Sequence, residues 1–157
     1  MPARHRLGLA REISLRMRTG HVRDDEEKTM DDLPSARILI VDDEERNRKL
    51  LDVFVKADGH SAIFAADGKA GVAAAVEQQP DIILLDLMMP DMDGFDVVRL
   101  LKNNPQTRDI PIIVVTALRD VASHKRMLAS GVDEFINKPV DRWELSLRIF
   151  KLLGERR

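Results

Sequence analysis

Five residues equipped for chemistry stand at comparable places in this chain. Asp42 and Asp43 follow the apolar run "RILIV", Asp86 closes "DIILLD", Thr116 closes "IPIIVVT", and Lys138 follows "DEFIN". Singly, each has an ordinary explanation. "DDEE" suits the positive end of a helix, Asp86 a turn, Thr116 a β-branched strand position and Lys138 a solvated loop. Together they describe a site. Three carboxylates gathered in one place repel one another and need positive charge. A hard divalent cation such as Mg2+ or Mn2+ takes carboxylate, carbonyl and water oxygens, and Lys138 adds a point charge. Such a site suits a doubly charged phosphoryl group, and a carboxylate nucleophile forms an aspartyl phosphate. Metal and lysine then stabilise charge on the phosphoryl oxygens during in-line transfer. The Thr116 hydroxyl can hydrogen-bond one of those oxygens, and Ala117 leaves room for the group to enter.

The elements between these residues must bring them to one edge. Continuous apolar runs at 37–41, 61–65, 81–86, 110–116 and 133–137 predict five strands, buried on both faces. They alternate with five helical patterns. In the first, Leu50, Val53, Phe54 and Ala57 share a face, with Gly59 as the stop. An alanine-rich helix ends before Pro80, another follows Gly94, and a polar helix over "DVASHKRMLASG" is stopped by a glycine. The last is "RWELSLRIFKLL". Alternating strands and helices predict an α/β, doubly wound five-stranded parallel sheet flanked by five helices. In such folds chemistry sits beyond the carboxyl ends of the strands, where all five residues fall.

Composition narrows the classes further. The 157 residues suffice for one domain, and a net charge of −2 argues against general nucleic-acid affinity and a polybasic membrane surface. There is no cysteine, hence no disulfide, thiol chemistry or zinc thiolate site, which fits a cytoplasmic location. No apolar run is long enough to span a bilayer, and the N-terminus lacks the apolar core of a secretory signal. Residues 1–34 read as a charged, flexible arm: six arginines against Glu12 up to Arg23, then six acids and one lysine in "DDEEKTMDD". Leu9, Ile13 and Met17 also allow a short amphipathic helix there, and translation from Met30 is an alternative. The four histidines, His5, His21, His60 and His124, fit no ligand spacing and read as surface residues.

The stretches "ILIVDDEERNRKLL", "PDIILLDLMMPDMDGF", "PIIVVTAL" and "DEFINKPVD" resemble the receiver domain of bacterial two-component response regulators, over residues 35–157. The resemblance implies strand order 2-1-3-4-5, as in flavodoxin and CheY. It implies that Asp86 accepts a phosphoryl group from a sensor histidine kinase or a phosphotransfer protein. Asp43 and Asp86 would bind Mg2+ directly with the backbone carbonyl of Met88, and Asp42 mostly through water. Thr116 and Lys138 would contact the phosphoryl group, the Lys138–Pro139 bond would be cis, and Phe135 would be the switch aromatic that moves with Thr116. Kinase docking is expected on the first helix, near Arg46, Asn47, Leu50 and Leu51. Asp91 and Asp93 read as solvated turn residues.

Two positions depart from polar choices that tune phosphoryl lifetime in that family: Met88 and Leu118 are both apolar, which predicts slow self-dephosphorylation. The last helix carries two apolar stripes. Leu145, Ile149 and Leu152 suit the core; Trp143, Leu147 and Phe150 suit a homodimer or a downstream protein on the face of the fourth helix, fifth strand and fifth helix, unless the N-terminal arm covers them. Two rival functions are a Mg-dependent aspartate-nucleophile phosphatase of the haloacid dehalogenase type and a phosphate-independent pseudo-receiver adaptor. The first needs an acid two residues after the nucleophile, where Met88 stands; the second sits poorly with all five site residues. The chain stops soon after the last helix, so either a single-domain regulator or a regulator without its output domain is expected.

Overall fold

Consecutive strand residues point to opposite faces, so a strand apolar at every position must be covered on both sides. In the computed structural model, which describes residues 35–155, that is what happens to the central strands. The expectations for residues 1–34 lie outside the described residues. Strands β1 (Arg37–Val41), β2 (Ser61–Ala65), β3 (Ile82–Asp86), β4 (Ile112–Thr116) and β5 (Glu134–Asn137) alternate with helices α1 (Glu45–Ala57), α2 (Gly68–Gln78), α3 (Gly94–Lys102), α4 (Val121–Ala129) and α5 (Arg142–Glu155). All strands pair in parallel, in the order β2-β1-β3-β4-β5. This is the doubly wound α/β sheet expected from the pattern.

Leu39, Val41, Ile83, Leu85, Ile112 and Val114 face one core with Val97, Val98, Leu101 and Met127. Their strand neighbours Ile38, Ile40, Ile82, Leu84 and Ile113 face the other, with Leu51, Val55, Leu145, Ile149 and Leu152. Each fully buried branched side chain contributes about 1.5–3 kcal/mol of burial free energy, so two cores hold the sheet as a rigid platform for its edge.

Two expectations are corrected. Strands β2 and β5 are not buried on both faces: only Ala65 in the first and Ile136 in the second are fully buried, and Phe64 is about half exposed, because both are edge strands with a neighbour on one side only. In α1 the inner stripe is Leu51 and Val55, with Phe54 packed beside them, while Leu50 and Val53 lie in solvent. The apolar stripe is wider than one face, and contact with Ile38 and Ile40 selects its phase. Leu51 is therefore core and not a docking residue. In α5 the two stripes separate as expected: Leu145, Ile149 and Leu152 are buried, Trp143 and Leu147 are exposed, and Phe150 is half-buried.

Gly59 and Gly131, just past α1 and α4, have φ of 91° and 97°, the left-handed conformation in which a chain leaves a helix at little cost only with glycine.

Candidate functional site

Sheet register assembles the site. Val41 pairs with Leu85, Asp86 with Val115 and Thr116 with Asn137. The residues at or just past these pairs, Asp42, Asp86, Thr116 and Lys138, therefore emerge side by side at the carboxyl edge. One carboxylate oxygen from each of Asp42, Asp43 and Asp86 lies within 4.8 Å of the others. The Lys138 Nζ stands 3.3 Å from Asp86 Oδ1.

Burial differs sharply within this group. Asp42 is 1 % exposed, Asp86 4 % and Thr116 0 %, whereas Asp43 is open to solvent. Burial pushes the Asp86 carboxyl above its ordinary value; the Lys138 ammonium and the Met88 N–H, which donates to Oδ1 at 3.3 Å, only partly offset that. Asp42 is also pushed up by burial, against the Glu44 N–H bonded to its Oδ1 at 2.9 Å and the Lys138 charge. Two buried carboxylates thus share one ammonium, a surplus of negative charge around hard oxygen donors. That donor set fits Mg2+ or Mn2+.

Three loops hold these groups. Gly94 N–H donates to the Leu87 carbonyl at 3.1 Å, and Met88 and Asp93 form an antiparallel bridge, so the loop after Asp86 is clasped shut. A Cβ at Gly94 would come within 2.6 Å of that carbonyl, which only glycine avoids. Asp91 and Asp93 do more than face solvent. Asp91 accepts from the N–H groups of Gly68 and Lys69, at the start of α2, and Asp93 from Phe95 N–H, at the start of α3. Asp91 is pushed down by these hydrogen bonds, first by that from Gly68. In the loop after β4, the Thr116 Oγ1 accepts from Leu118 N–H at 3.0 Å. After β5, Lys138 N–H donates to the Thr116 carbonyl at 2.8 Å, and the Lys138–Pro139 peptide is cis.

The remaining candidate residues surround this centre. The Met88 side chain is 63 % exposed and lines one groove with Leu118, Phe95 and Arg126. Phe135 is half-buried against the core under α4. Two histidines depart from the surface reading: His60 Nδ1 accepts from Ala36 N–H at 3.1 Å, and the His124 ring stacks on Phe135 with centroids 4.3 Å apart. Helical periodicity held the signal for His124, since it precedes the buried Met127 by three residues and so shares its face. Among the described residues, no helix is long and apolar enough to cross a membrane.

Comparison with known proteins agrees with this geometry. Residues 38–150 match the model of the response regulator receiver domain. Response regulator PleD of Caulobacter vibrioides is 46 % identical over 118 residues, 75 % of this chain and 26 % of its own length. The DNA-binding dual master transcriptional regulator RpaA of Synechocystis is 39 % identical over 117 residues, 74 % of this chain and 48 % of its own. The chain thus spans about a quarter to a half of these curated relatives. Among solved structures, chemotaxis protein CheY4 of Vibrio cholerae superposes with a TM-score of 0.71 at 26 % identity, covering 76 % of this chain and 99 % of that one. The receiver domain of sensor histidine kinase PA1611 of Pseudomonas aeruginosa gives 0.71 at 28 %, covering 77 % and 99 %, and holds a magnesium ion coordinated in its active-site cleft. A buried aspartate at the end of the third strand, flanked by an acidic pair, a threonine and a lysine on the sheet order 2-1-3-4-5, therefore belongs to a member of the response regulator receiver domain family.

Proposed function

We propose that this protein is a phosphorylation-operated signalling switch whose phosphoacceptor is Asp86. One observation carries the reading: a nearly buried carboxylate with an ammonium at 3.3 Å and two further carboxylates within 4.8 Å. That much charge in so dry a place is unfavourable unless the site has an ionic occupant.

In the transfer, an Asp86 oxygen attacks phosphorus in line. The new O–P bond forms as the N–P bond of a phosphohistidine donor breaks, and the departing imidazole nitrogen takes up a proton. Lys138 follows the charge from the carboxylate to the phosphoryl oxygens. The Thr116 hydroxyl oxygen already accepts from Leu118, so its proton is the one it offers to a phosphoryl oxygen. A divalent cation held by Asp43, Asp86 and the Met88 carbonyl, with Asp42 through water, would supply the charge neutralisation that brings two anions together. The protein thus promotes only its own phosphorylation and dephosphorylation.

Residues 35–157 form the receiver unit in this reading, with 1–34 as an arm. The donor is a sensor histidine kinase or phosphotransfer protein, docking over Arg46, Asn47 and the exposed Leu50. The output face is α4, β5 and α5, where Trp143, Leu147 and Phe150 would meet a downstream protein or a second copy. The cytoplasm, where such donors work, is the expected location. Incubation with acetyl phosphate and Mg2+ tests the core of this: wild type gains the mass of one phosphoryl group, and Asp86→Asn gains none. Equal signals would end the reading.

Lifetime follows from the groove. Met88 and Leu118 line the same groove, and neither side chain can orient a water for attack on the acyl phosphate. The label should therefore last minutes or longer in Mg2+, and Met88→Asn should shorten its half-life several-fold. Decay of the wild type within a few seconds would contradict this.

A further inference from the structure

The loop that carries Thr116 is tied to Phe135 through a histidine. Leu118 is held at both ends. Its N–H donates to Thr116 Oγ1 at 3.0 Å, and its carbonyl accepts from His124 Nε2 at 2.9 Å and from Asn137 Nδ2 at 2.8 Å. A carbonyl only accepts, so His124 carries a proton on Nε2. The same ring lies on Phe135, with centroids 4.3 Å apart and planes inclined by 36°. His124 is half-buried on α4. One imidazole thus touches three parts that must shift together if Thr116 is to reach a phosphoryl group: the loop after β4, the β5 aromatic and α4.

We infer that His124 is a positioning residue that latches the unphosphorylated arrangement, holding Phe135 by stacking and the Thr116 loop by its hydrogen bond to Leu118. The inference rests on the proposed role of Asp86 for its consequence, but not for the latch itself. Interactions made in one state and weakened in the other bias the equilibrium toward the first. Movement of Thr116 pulls Leu118 with it and so strains the Leu118–His124 bond. Asn137 cannot substitute for it, because it reaches the same carbonyl from β5 and does not connect that carbonyl to the α4 side chain stacked on Phe135.

The experiment has two arms, on wild type, His124→Ala, His124→Phe and His124→Gln. The first needs no phosphate: side-chain couplings of Phe135 measured by NMR in the unphosphorylated protein. Wild type should show one rotamer and His124→Ala an average of two. The second is the rate of Asp86 labelling by acetyl phosphate with Mg2+, expected to rise roughly five-fold in His124→Ala, the factor of about one lost hydrogen bond. His124→Phe keeps the stack alone and His124→Gln a donor alone, so each should fall between. A single Phe135 rotamer in every variant, or averaging already in wild type, overturns the latch. So does a wild-type labelling rate in His124→Ala with only a lower melting temperature, since that is a merely structural histidine. If Phe135 is freed while Asp86 of wild type takes no phosphoryl group, the latch stands and the phosphoacceptor reading falls.

Discussion

Asp86 and Asp91 lie five residues apart on one loop, yet the fold treats them in opposite ways. Asp86 is buried, has one ammonium for company and carries a carboxyl pushed up by burial. Asp91 is exposed, caps the backbone of α2 and is pushed down by the N–H groups it accepts from. The difference is where each charge is satisfied. Asp91 is satisfied within the folded chain and is thereby architecture. Asp86 remains short of positive charge, and on the proposed function that shortfall is what makes it available for chemistry. Residue type alone says little; the balance of its charge separates site from scaffold.

The largest expected effect tests that division directly. Asp86→Asn should abolish labelling by acetyl phosphate, whereas Asp91→Ala and Asp93→Ala should label at rates close to wild type under conditions where both are folded. Loss of labelling in either capping variant would mean that the capping carboxylates themselves take part in the chemistry. A smaller effect is structural. Asp93→Ala removes the side-chain acceptor at the start of α3 and should cost about 1 kcal/mol in urea unfolding, while an unchanged midpoint would show the cap to be idle.

The smallest effect concerns pH and has opposite signs for the two residues. A folded carboxyl pushed up contributes stability that is present below its unfolded value and lost as pH rises through its folded value. Metal-free wild type should therefore lose stability as pH rises above the ordinary carboxyl value of 3.8 through Asp42 and Asp86, both pushed up by burial. Asp86→Asn should flatten that slope, and Mg2+ should offset it. Asp91, pushed down, contributes stability above its unfolded value that is lost only in stronger acid. Melting curves of wild type and Asp86→Asn across this range, with chelator and with Mg2+, measure the difference; parallel slopes without metal would refute the shared-ammonium picture.

Much of this is legible in the sequence. The three central strands, β1, β3 and β4, announce themselves as nearly unbroken apolar runs, because burial on both faces leaves few polar positions. The site followed from strand ends alone, since a parallel sheet puts all its carboxyl ends on one edge. What escaped needed tertiary contact. Phe64 looks like any buried aromatic until β2 is known to be the edge strand. Leu50 and Leu51 are equally apolar, and only the packing of α1 on Ile38 and Ile40 decides which enters the core. Asp91 seemed a turn residue because its partners, Gly68 and Lys69, are remote in sequence. His124 looked peripheral because stacking on Phe135 leaves no mark on spacing beyond a shared helix face with Met127.

The clasp between Leu87 and Gly94 has a practical consequence for anyone building with this molecule. With Gly94 against the Leu87 carbonyl, and with Met88 bridged to Asp93, residues 86–94 behave as a part of fixed length. A single insertion there would rotate α3 or lift Asp86 off the sheet edge. For sensor engineering, then, the acidic loop is the component to transplant whole, together with its glycine and the strand that precedes it.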